Sequence, residues 1–363
     1  MLAINAYSAD AAWQELASRL RDEGKVQEGR DQPTRELLHV GFSISDPRQR
    51  LVFARPMNPA FAVAEVIWML SGFNDVEWLA WWNPRVRRLA ADEGNPAFHG
   101  AYGDRLGSRP RLGHGMARRL RHRSIQSSRH LDQLKTATQA LRADPTSRQV
   151  VLQIWDADRD LPNPISRSRD IPCNLVSHLL IRDGRLVWLQ VMRSNDLMWG
   201  LPYNIVQFTM LQEILAGWLG IEVGSYQHVS NSLHAYERHW KELDALILNT
   251  GGGPRNSSDL RISDYDAWQE AWSRLVDCVG QIMRLEVRRQ LEDVPKRYAD
   301  LPGAYREWIA LLTAEALRKM AEPQAADDVV QVAGPFWSWS WRQWAEAESR
   351  RREPGGGSAV VRE

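Results

Sequence analysis

Apolar residues recur at helical spacing in several parts of the chain. Residues 10–24 place their large apolar side chains on one helical face, and residues 203–219 form a longer amphipathic segment that ends at Gly220. Residues 60–71 are almost wholly apolar except for Glu65, a carboxylate that must be paired, solvated or functional in such surroundings. Further helices are predicted over 130–143, 265–292 and 303–321.

Alternating apolar and polar positions predict a hairpin over residues 174–182 and 185–193. The two strands are separated by Asp-Gly, the strongest short hairpin signal. Because an antiparallel hairpin brings the start of one strand beside the end of the other, Cys173 and Arg193 are expected to meet. Other strands are predicted over 37–45 and 50–54, as a second hairpin, and over 148–155 and 224–232.

Composition narrows the class of protein. The 363 residues are 44% hydrophobic, which is ordinary for one large domain or two with a real core. Two cysteines are too few for a disulfide framework, so a reducing, cytoplasmic setting is expected, with no signal peptide and no membrane span. A net charge of +1 gives no general reason to expect DNA binding, and the arginine-rich segment 118–123 is interpreted as a solvated face, with a polyanion patch as the alternative.

Two short segments carry the candidate chemistry. Cys173 offers a thiol nucleophile, and the Arg193-Ser194 pair offers a cation and a hydroxyl for a phosphate. Asp196 and Asn204 follow closely and offer polar groups that read flat heterocycles. The combination favours a nucleotide enzyme that works through a covalent thioether.

Several separated motifs also occur in one characteristic order. They are Glu65 within AEVIWMLSG, Tyr102-Gly103, Ser147-Arg148, Pro172-Cys173, Arg193-Ser194-x-Asp196, Gly200-Leu201-Pro202-x-Asn204 and His234-x-Tyr236. In this order, over residues 30–240, the chain resembles the thymidylate synthase superfamily, which includes thymidylate synthases and pyrimidine-nucleotide hydroxymethylases. The resemblance implies an α+β fold with a mixed sheet packed against helices, and a homodimer formed through the sheet face.

The resemblance implies a one-carbon transfer from 5,10-methylenetetrahydrofolate to C5 of a pyrimidine nucleoside monophosphate, without a metal. Cys173 would add to C6, because a thiolate adduct makes C5 nucleophilic. Tyr102 would assist removal of the C5 proton, and Glu65 would organise water and proton transfer. Hydride trapping would then give a methyl group, and water would give a hydroxymethyl group.

The resemblance also assigns binding residues. The phosphate would be held by Arg193, Ser194, Arg148 from the neighbouring subunit, and either Arg30 or Arg35 from an N-terminal loop. The base would contact Asn204 and Asn174, the sugar His234 and Tyr236, and the folate pterin Asp196. Gln149 replaces a second arginine that the family often has beside Arg148.

The resemblance alone does not decide which base is the substrate or whether the product carries a methyl or a hydroxymethyl group. An amide at Asn204 suits uracil, whereas deoxycytidylate hydroxymethylases tend to have Asp there, so a uridylate is favoured, although a flipped amide also suits cytosine. Methylating members carry a tryptophan pair before the Tyr-Gly motif and a short apolar tail, and the stretch 85–94 and the polar C-terminus have neither. Whether Trp81 and Trp82 substitute for that pair is undecided. Weaker exclusion of water favours hydroxymethylation on dUMP, UMP, dCMP or CMP.

An alternative hypothesis of a different functional class is that the chain is a non-catalytic relative that binds nucleotides or RNA. Its binding surfaces would be the arginine-rich segment and the tryptophan-rich C-terminal region.

The predicted organisation is a catalytic domain over residues 1–245, a helical C-terminal extension over 246–345 packed on it, and a disordered tail over 346–363.

Overall fold

A computed structural model describes residues 2–29, 32–90, 96–108, 131–162, 170–249 and 251–352. These residues form a mixed α+β structure in which one sheet packs against helices, as the resemblance implied.

The sheet contains both parallel and antiparallel pairs. Its strands are β1 (Leu2–Ala6), β2 (Lys25–Gln27), β3 (Thr34–Ile44), β4 (Val151–Gln153), β5 (Asn174–Arg182), β6 (Arg185–Met192), β7 (Asn195–Asp196) and β8 (Glu222–Tyr236). They run in the order β1-β3-β8-β6-β5-β4, with β2 paired to β3 and β7 paired to β8. Strands β6 and β8 are parallel neighbours in the middle of this sheet.

Helices pack against the sheet and make up most of the described C-terminal third. Those of the first two thirds are α1 (Ala9–Glu23), α2 (Pro59–Leu70), α3 (Val76–Trp82), α4 (Tyr102–Leu106), α5 (Gln133–Ala143), α6 (Ala157–Asp160), α7 (Gly200–Leu219) and α8 (Trp240–Ile247). Those that follow are α9 (Tyr265–Ile282), α10 (Arg288–Glu292), α11 (Val294–Arg297), α12 (Gly303–Lys319), α13 (Pro323–Val330) and α14 (Gly334–Arg352). Three short 3₁₀ turns cover Pro84–Leu89, Glu237–His239 and Gln331–Ala333.

Helix α7 is the centre of the core. Residues 201–218 are all buried, because the helix lies between the sheet and α2. It ends at Gly220, whose φ of +70° is the left-handed conformation that favours glycine. Its Glu213 forms a fully buried ion pair with Arg50 and accepts a hydrogen bond from the backbone N–H of Leu260 at 3.1 Å, which ties α7 to two loops.

The hairpin predicted around Cys173 is confirmed. Strands β5 and β6 pair from Asn174 with Met192 to Arg182 with Arg185. The turn residues Asp183 and Gly184 have φ values of +52° and +69°. Positive φ at both central positions is the turn geometry whose twist matches paired strands.

The hairpin predicted over 37–45 and 50–54 is wrong. The first part is β3, but residues 50–54 form no strand, and β3 instead pairs with β1 and β8. Residues 51 and 52 are buried and lead into α2, and the side chain of Arg50 is consumed by its ion pair with α7. Tertiary packing therefore overrides the local alternation.

Two predicted boundaries in the C-terminal region also differ. The helix over 265–292 is interrupted, since α9 ends at Ile282 and α10 begins at Arg288. Part of the predicted disordered tail is helical, because α14 continues through residues 346–352; residues 353–363 lie outside the described part of the chain.

The C-terminal helices contact the earlier part of the chain. Trp272 on α9 donates its indole N–H to the Ser71 hydroxyl at 3.3 Å, and the Lys319 ammonium at the end of α12 lies 4.2 Å from the ring centre of Trp81. Within the described residues, every helix is too short or too polar to cross a membrane.

Candidate active site

The β5–β6 hairpin brings Arg193 to the nucleophile as the sequence predicted. The backbone N–H of Arg193 donates to the Cys173 carbonyl at 2.9 Å. Its guanidinium donates to the carbonyls of Pro172 at 2.9 Å and Ile171 at 3.0 Å. One arginine therefore fixes the backbone on which the thiol sits and puts a positive charge beside it.

The two cysteines occupy different environments. Cys173 keeps partial solvent exposure, although its surroundings remove enough water to raise the pKa of its thiol. The Arg193 charge opposes that rise, and the Asp196 charge adds to it. Cys278 is buried within α9, and burial raises its pKa to about 12, so it stays a neutral thiol. Only Cys173 has both access and a neighbouring cation.

Tyr102 is held next to Cys173 by a carboxylate. Asp170, three residues before Cys173, accepts the backbone N–H groups of His99 at 2.5 Å and Gly100 at 2.9 Å. A Cβ on Gly100 would lie 2.9 Å from the same carboxylate, so glycine permits this close approach. Asp170 thus joins the segment before α4 to the segment before the nucleophile.

The pKa of Tyr102 responds to its burial and to the charged and polar groups around it. Burial is the main reason that the Tyr102 pKa is raised well above its usual range, and the charge of Cys173 adds to the rise. The Asn174 amide and Arg193 act in the opposite direction, and Glu65 acts in the same direction as Cys173. These influences place Tyr102, Cys173, Asn174, Arg193 and Glu65 in one cluster.

Glu65 lies on α2 and faces this cluster. Burial raises the pKa of its carboxyl to about 8, while the neighbouring Gln207 amide works against the rise. Its Oε2 is buried without a hydrogen-bond partner. The same is true of Asn174 Nδ2, whose Oδ1 accepts a hydrogen bond from Gln190 at 2.8 Å. Such unpartnered buried groups are costly unless a ligand completes them.

The predicted base-reading and folate-binding residues lie close together. Asn204, on the first turns of α7, is 7% exposed and donates from Nδ2 to Asn195 at 3.3 Å. Asp196 accepts the backbone N–H groups of Met198 at 2.8 Å and Trp199 at 3.3 Å, both on Oδ1. The second carboxylate oxygen takes no part in these two bonds.

The two predicted sugar-binding residues share one face of β8. The rings of His234 and Tyr236 meet edge to face at 5.3 Å. His234 is the register partner of Asp196 on β7, which places this face beside the cluster. Ser194 lies directly before β7, between Arg193 and Asn195.

The predicted phosphate arginines do not all reach the cluster. Arg35 is on β3 and not in a loop, and it alternates to the face opposite Glu36, where its guanidinium lies 4.7 Å from the ring centre of Trp240. Arg148 is exposed in the segment before β4, and its carbonyl lies 3.1 Å from His178 Nε2. Arg30 and the arginine-rich segment 118–123 lie outside the described residues.

Sequence reasoning missed an arginine next to the predicted folate side. Arg55 is 5% exposed, lies 4.7 Å from the ring centre of Trp199, and has Nε and Nη1 without partners. Arg85 approaches the same ring at 5.4 Å. Trp199 lies in the segment that directly follows Asp196. This position was the sequence signal that Trp199 lies near the predicted folate site, where Arg55 meets it. No group of three or more metal-binding side chains occurs among the residues that the structure describes.

A scan of family models finds one match, to thymidylate synthase, over residues 11–269. That span covers well over half of the chain.

Three relatives are each called deoxyuridylate hydroxymethyltransferase. The protein of Bacillus phage SP01 is 34% identical over 230 residues, which is 62% of this chain and 56% of that protein. The protein of Pseudomonas phage M6 is 38% identical over 195 residues, or 53% and 49% of the two chains. The protein of Delftia phage PhiW-14 is 27% identical over 325 residues, or 84% of each. The chain therefore spans about half the length of the first two relatives.

Proposed function

We propose that this chain, which belongs to the thymidylate synthase family, transfers a one-carbon unit from 5,10-methylenetetrahydrofolate to C5 of deoxyuridylate and releases the hydroxymethyl product. The single observation that carries the proposal is the cluster in which Cys173 meets Arg193, Tyr102 and Glu65. These residues come from a hairpin, a short helix and a core helix, and the fold is what assembles them.

Cys173 performs the covalent step. Its sulfur forms a bond to C6 of the uracil, and the electron pair of the C5–C6 double bond moves toward O4, which makes C5 nucleophilic. The folate, when bound, supplies a carbon at the oxidation level of formaldehyde. Arg193 stabilises the thiolate before attack and holds its backbone in place.

Tyr102 and Glu65 handle protons after C5 has gained its carbon. Tyr102 assists removal of the C5 proton, and tetrahydrofolate then leaves the bridging carbon with the electron pair of its C–N bond, which produces an exocyclic methylene on the ring. Glu65 holds a proton at neutral pH, because its pKa is about 8, and orients a water molecule next to that methylene. Addition of water gives the hydroxymethyl group, and the sulfur leaves C6 with the electron pair that it contributed.

The residues near Asp196 fit a folate. Trp199 offers a flat apolar face, and Asp196 offers a carboxylate oxygen that binds neither of the two backbone N–H groups. Arg55 provides buried N–H groups without partners, and such groups suit a carboxylate-bearing ligand.

Water is supported as the final trap by two features. The Trp81 ring packs under Lys319, and Trp82 is buried in the core at 2% exposure, so both rings already serve structural packing. The names of the three relatives point the same way.

Product analysis tests the proposal. The enzyme is incubated with 5,10-methylenetetrahydrofolate and each of dUMP, UMP, dCMP and CMP, in ordinary water and in water labelled with heavy oxygen. We expect dUMP to be the best substrate and its product to carry one heavy oxygen, since the hydroxyl comes from solvent. A methyl product with accumulation of dihydrofolate would instead assign the chain to the methylating branch. Nucleotide binding without any product would favour the non-catalytic alternative.

We further propose a homodimer in which Arg148 completes the partner's phosphate site. One sheet face carries half-buried apolar side chains on adjacent strands, among them Val176, Val187, Leu189 and Val191. An apolar face of this extent is typical of a protein interface. Arg148 is exposed at the sheet edge formed by β4 and is free to extend across such an interface.

Mixing two inactive variants tests this arrangement. Arg148→Ala and Cys173→Ala homodimers should each have little activity. A mixed dimer should regain one intact site, because one chain supplies Cys173 and the other Arg148. Statistical exchange of subunits should then restore about a quarter of wild-type activity. Light scattering should report a dimer throughout, and a mixture that stays inactive after exchange would contradict the shared site.

A further inference from the structure

A buried chain of polar side chains runs from Asn204 into the core. Asn204 Nδ2 donates to Asn195 Oδ1 at 3.3 Å, and Asn195 Nδ2 lies 3.1 Å from His228 Nε2. His228 Nδ1 lies 2.9 Å from the Tyr226 hydroxyl. All four side chains are at most 7% exposed. Of the four, only Asn204 has a predicted role, which is to contact the base.

The orientation of the Asn195 amide is fixed by its neighbours. Its Nδ2 also lies 3.1 Å from the sulfur of Met192 and 3.4 Å from the hydroxyl of Ser230. A thioether only accepts hydrogen bonds, so a flipped amide would set Oδ1 against another acceptor. Asn195 must therefore present its carbonyl oxygen toward Asn204.

His228 reinforces this orientation. Burial lowers the pKa of its imidazole to about 3, so the ring is neutral, and it stacks on Phe42 at 4.9 Å. Because the Asn195 NH₂ group needs an acceptor at Nε2, the proton of the neutral ring belongs on Nδ1, from which it is donated to the Tyr226 oxygen. All three hydrogen bonds are then donated in the same direction, from Asn204 toward Tyr226.

The fixed orientation of Asn195 also determines the orientation of the Asn204 amide, which is predicted to contact the base. Because Asn195 offers an oxygen, Asn204 must direct its NH₂ group there, and a flip would place two carbonyl oxygens face to face in a dry site. Uracil and cytosine need opposite orientations of that amide, since uracil presents O4 and N3–H whereas cytosine presents N4–H₂ and an unprotonated N3. An Asn204 amide held in one orientation therefore pairs with only one of these two base edges.

We infer that Asn195, supported by His228, sets the preference for uracil over cytosine by locking the Asn204 amide. The inference rests on the proposed function, because it takes deoxyuridylate as the bound nucleotide. Asn195 and His228 act through Asn204 and are positioning residues.

Equilibrium binding tests the inference without requiring turnover. Calorimetry gives the dissociation constants of dUMP and dCMP for the full-length wild type, Asn195→Leu and His228→Phe. Leucine keeps the approximate shape of Asn195 without its polar groups, and phenylalanine keeps the stack on Phe42 while removing the acceptor. We expect the preference for dUMP to fall by about tenfold or more in both variants, mainly through tighter binding of dCMP.

Gln212→Leu is the matched control. Gln212 is a buried amide on the same helix, but it donates to the carbonyls of Leu186, Gly224 and Ser225, away from Asn204. Its loss should leave the ratio unchanged even if it lowers stability. An unchanged ratio in Asn195→Leu and His228→Phe, or a wild type that binds both nucleotides equally, would overturn the inference. A wild type that shows the predicted binding ratio yet forms no product would overturn the proposed function alone.

Discussion

Replacing Cys173 by alanine should abolish turnover while leaving nucleotide affinity nearly intact. The expected fall in kcat is on the order of 10⁴-fold or more, because without the sulfur C5 of uracil is not nucleophilic enough to accept the carbon. Affinity should change less than about threefold, since the proposed phosphate and base contacts involve Arg193 and Asn204 and not the thiol. Steady-state kinetics and calorimetry on the same preparation measure both quantities.

Cys278→Ala provides the control for this result. That thiol is buried in α9, and burial holds it in the neutral form. The variant should keep wild-type kcat with a modest loss of stability from the small cavity. Substantial turnover by Cys173→Ala would contradict the covalent mechanism.

Replacing Glu65 by glutamine should slow turnover by about 10²- to 10³-fold, because the amide keeps the size of the carboxyl but neither gives up nor takes a proton. The defect should be accompanied by little change in the dissociation constant for dUMP. The site variant and the wild type are compared at several pH values by steady-state kinetics.

The same substitution should change how stability depends on pH. The folded protein holds the Glu65 proton up to a pKa of about 8, whereas the unfolded chain releases it near the ordinary value of 4.5. Between these values the folded state binds more protons, so the contribution of Glu65 to stability is largest at low pH and is lost as the pH rises toward 8. Glutamine removes this contribution to the slope.

Denaturant unfolding between pH 5 and 8 measures the effect. The difference in unfolding free energy between Glu65→Gln and wild type should grow in favour of the variant as the pH rises. Parallel pH profiles for the two proteins would show that Glu65 is not held protonated by burial. Asp22→Asn, a change at a carboxylate on the surface of α1, should leave the wild-type slope near pH 7 unaltered, because the pKa of Asp22 is lowered from 3.8.

The strongest local sequence signals predicted the centre of the site. The Asp-Gly turn defined the β5–β6 register, and that register alone brings Arg193 to Cys173. Glu65 was marked by its contrast with an apolar helix, and the structure shows its carboxyl buried with an unpartnered oxygen. Both conclusions depend on short-range pattern, which a single sequence expresses well.

Features that depend on long-range packing were not predictable in this way. Residues 50–54 alternate like a strand, yet the buried pair of Arg50 with Glu213 holds them outside the sheet. Arg55 is far from Trp199 in the sequence, and only the folded chain brings its guanidinium over that ring. The path from Asn195 to His228 joins strands whose parallel pairing has no local signature.

The roles of Tyr102, Asp196, His234 and Tyr236 remain predictions, now supported by their positions around one cluster. Arg148 stays a prediction that depends on a second subunit. Arg35 lies over Trp240 and Arg30 lies outside the described residues, so the N-terminal phosphate arginine also stays a prediction.

The central claim is a bond between the Cys173 sulfur and C6 of the nucleotide. It is tested most directly by mixing the enzyme with 5,10-methylenetetrahydrofolate and 5-fluorodeoxyuridylate. In this nucleotide fluorine replaces the C5 hydrogen that is removed as a proton, so the reaction stops at the covalent adduct. Peptide mass spectrometry of the digested complex should find the nucleotide attached to the peptide that contains Cys173. An enzyme that turns over dUMP but carries no adduct there, or carries it on Cys278, would contradict the account.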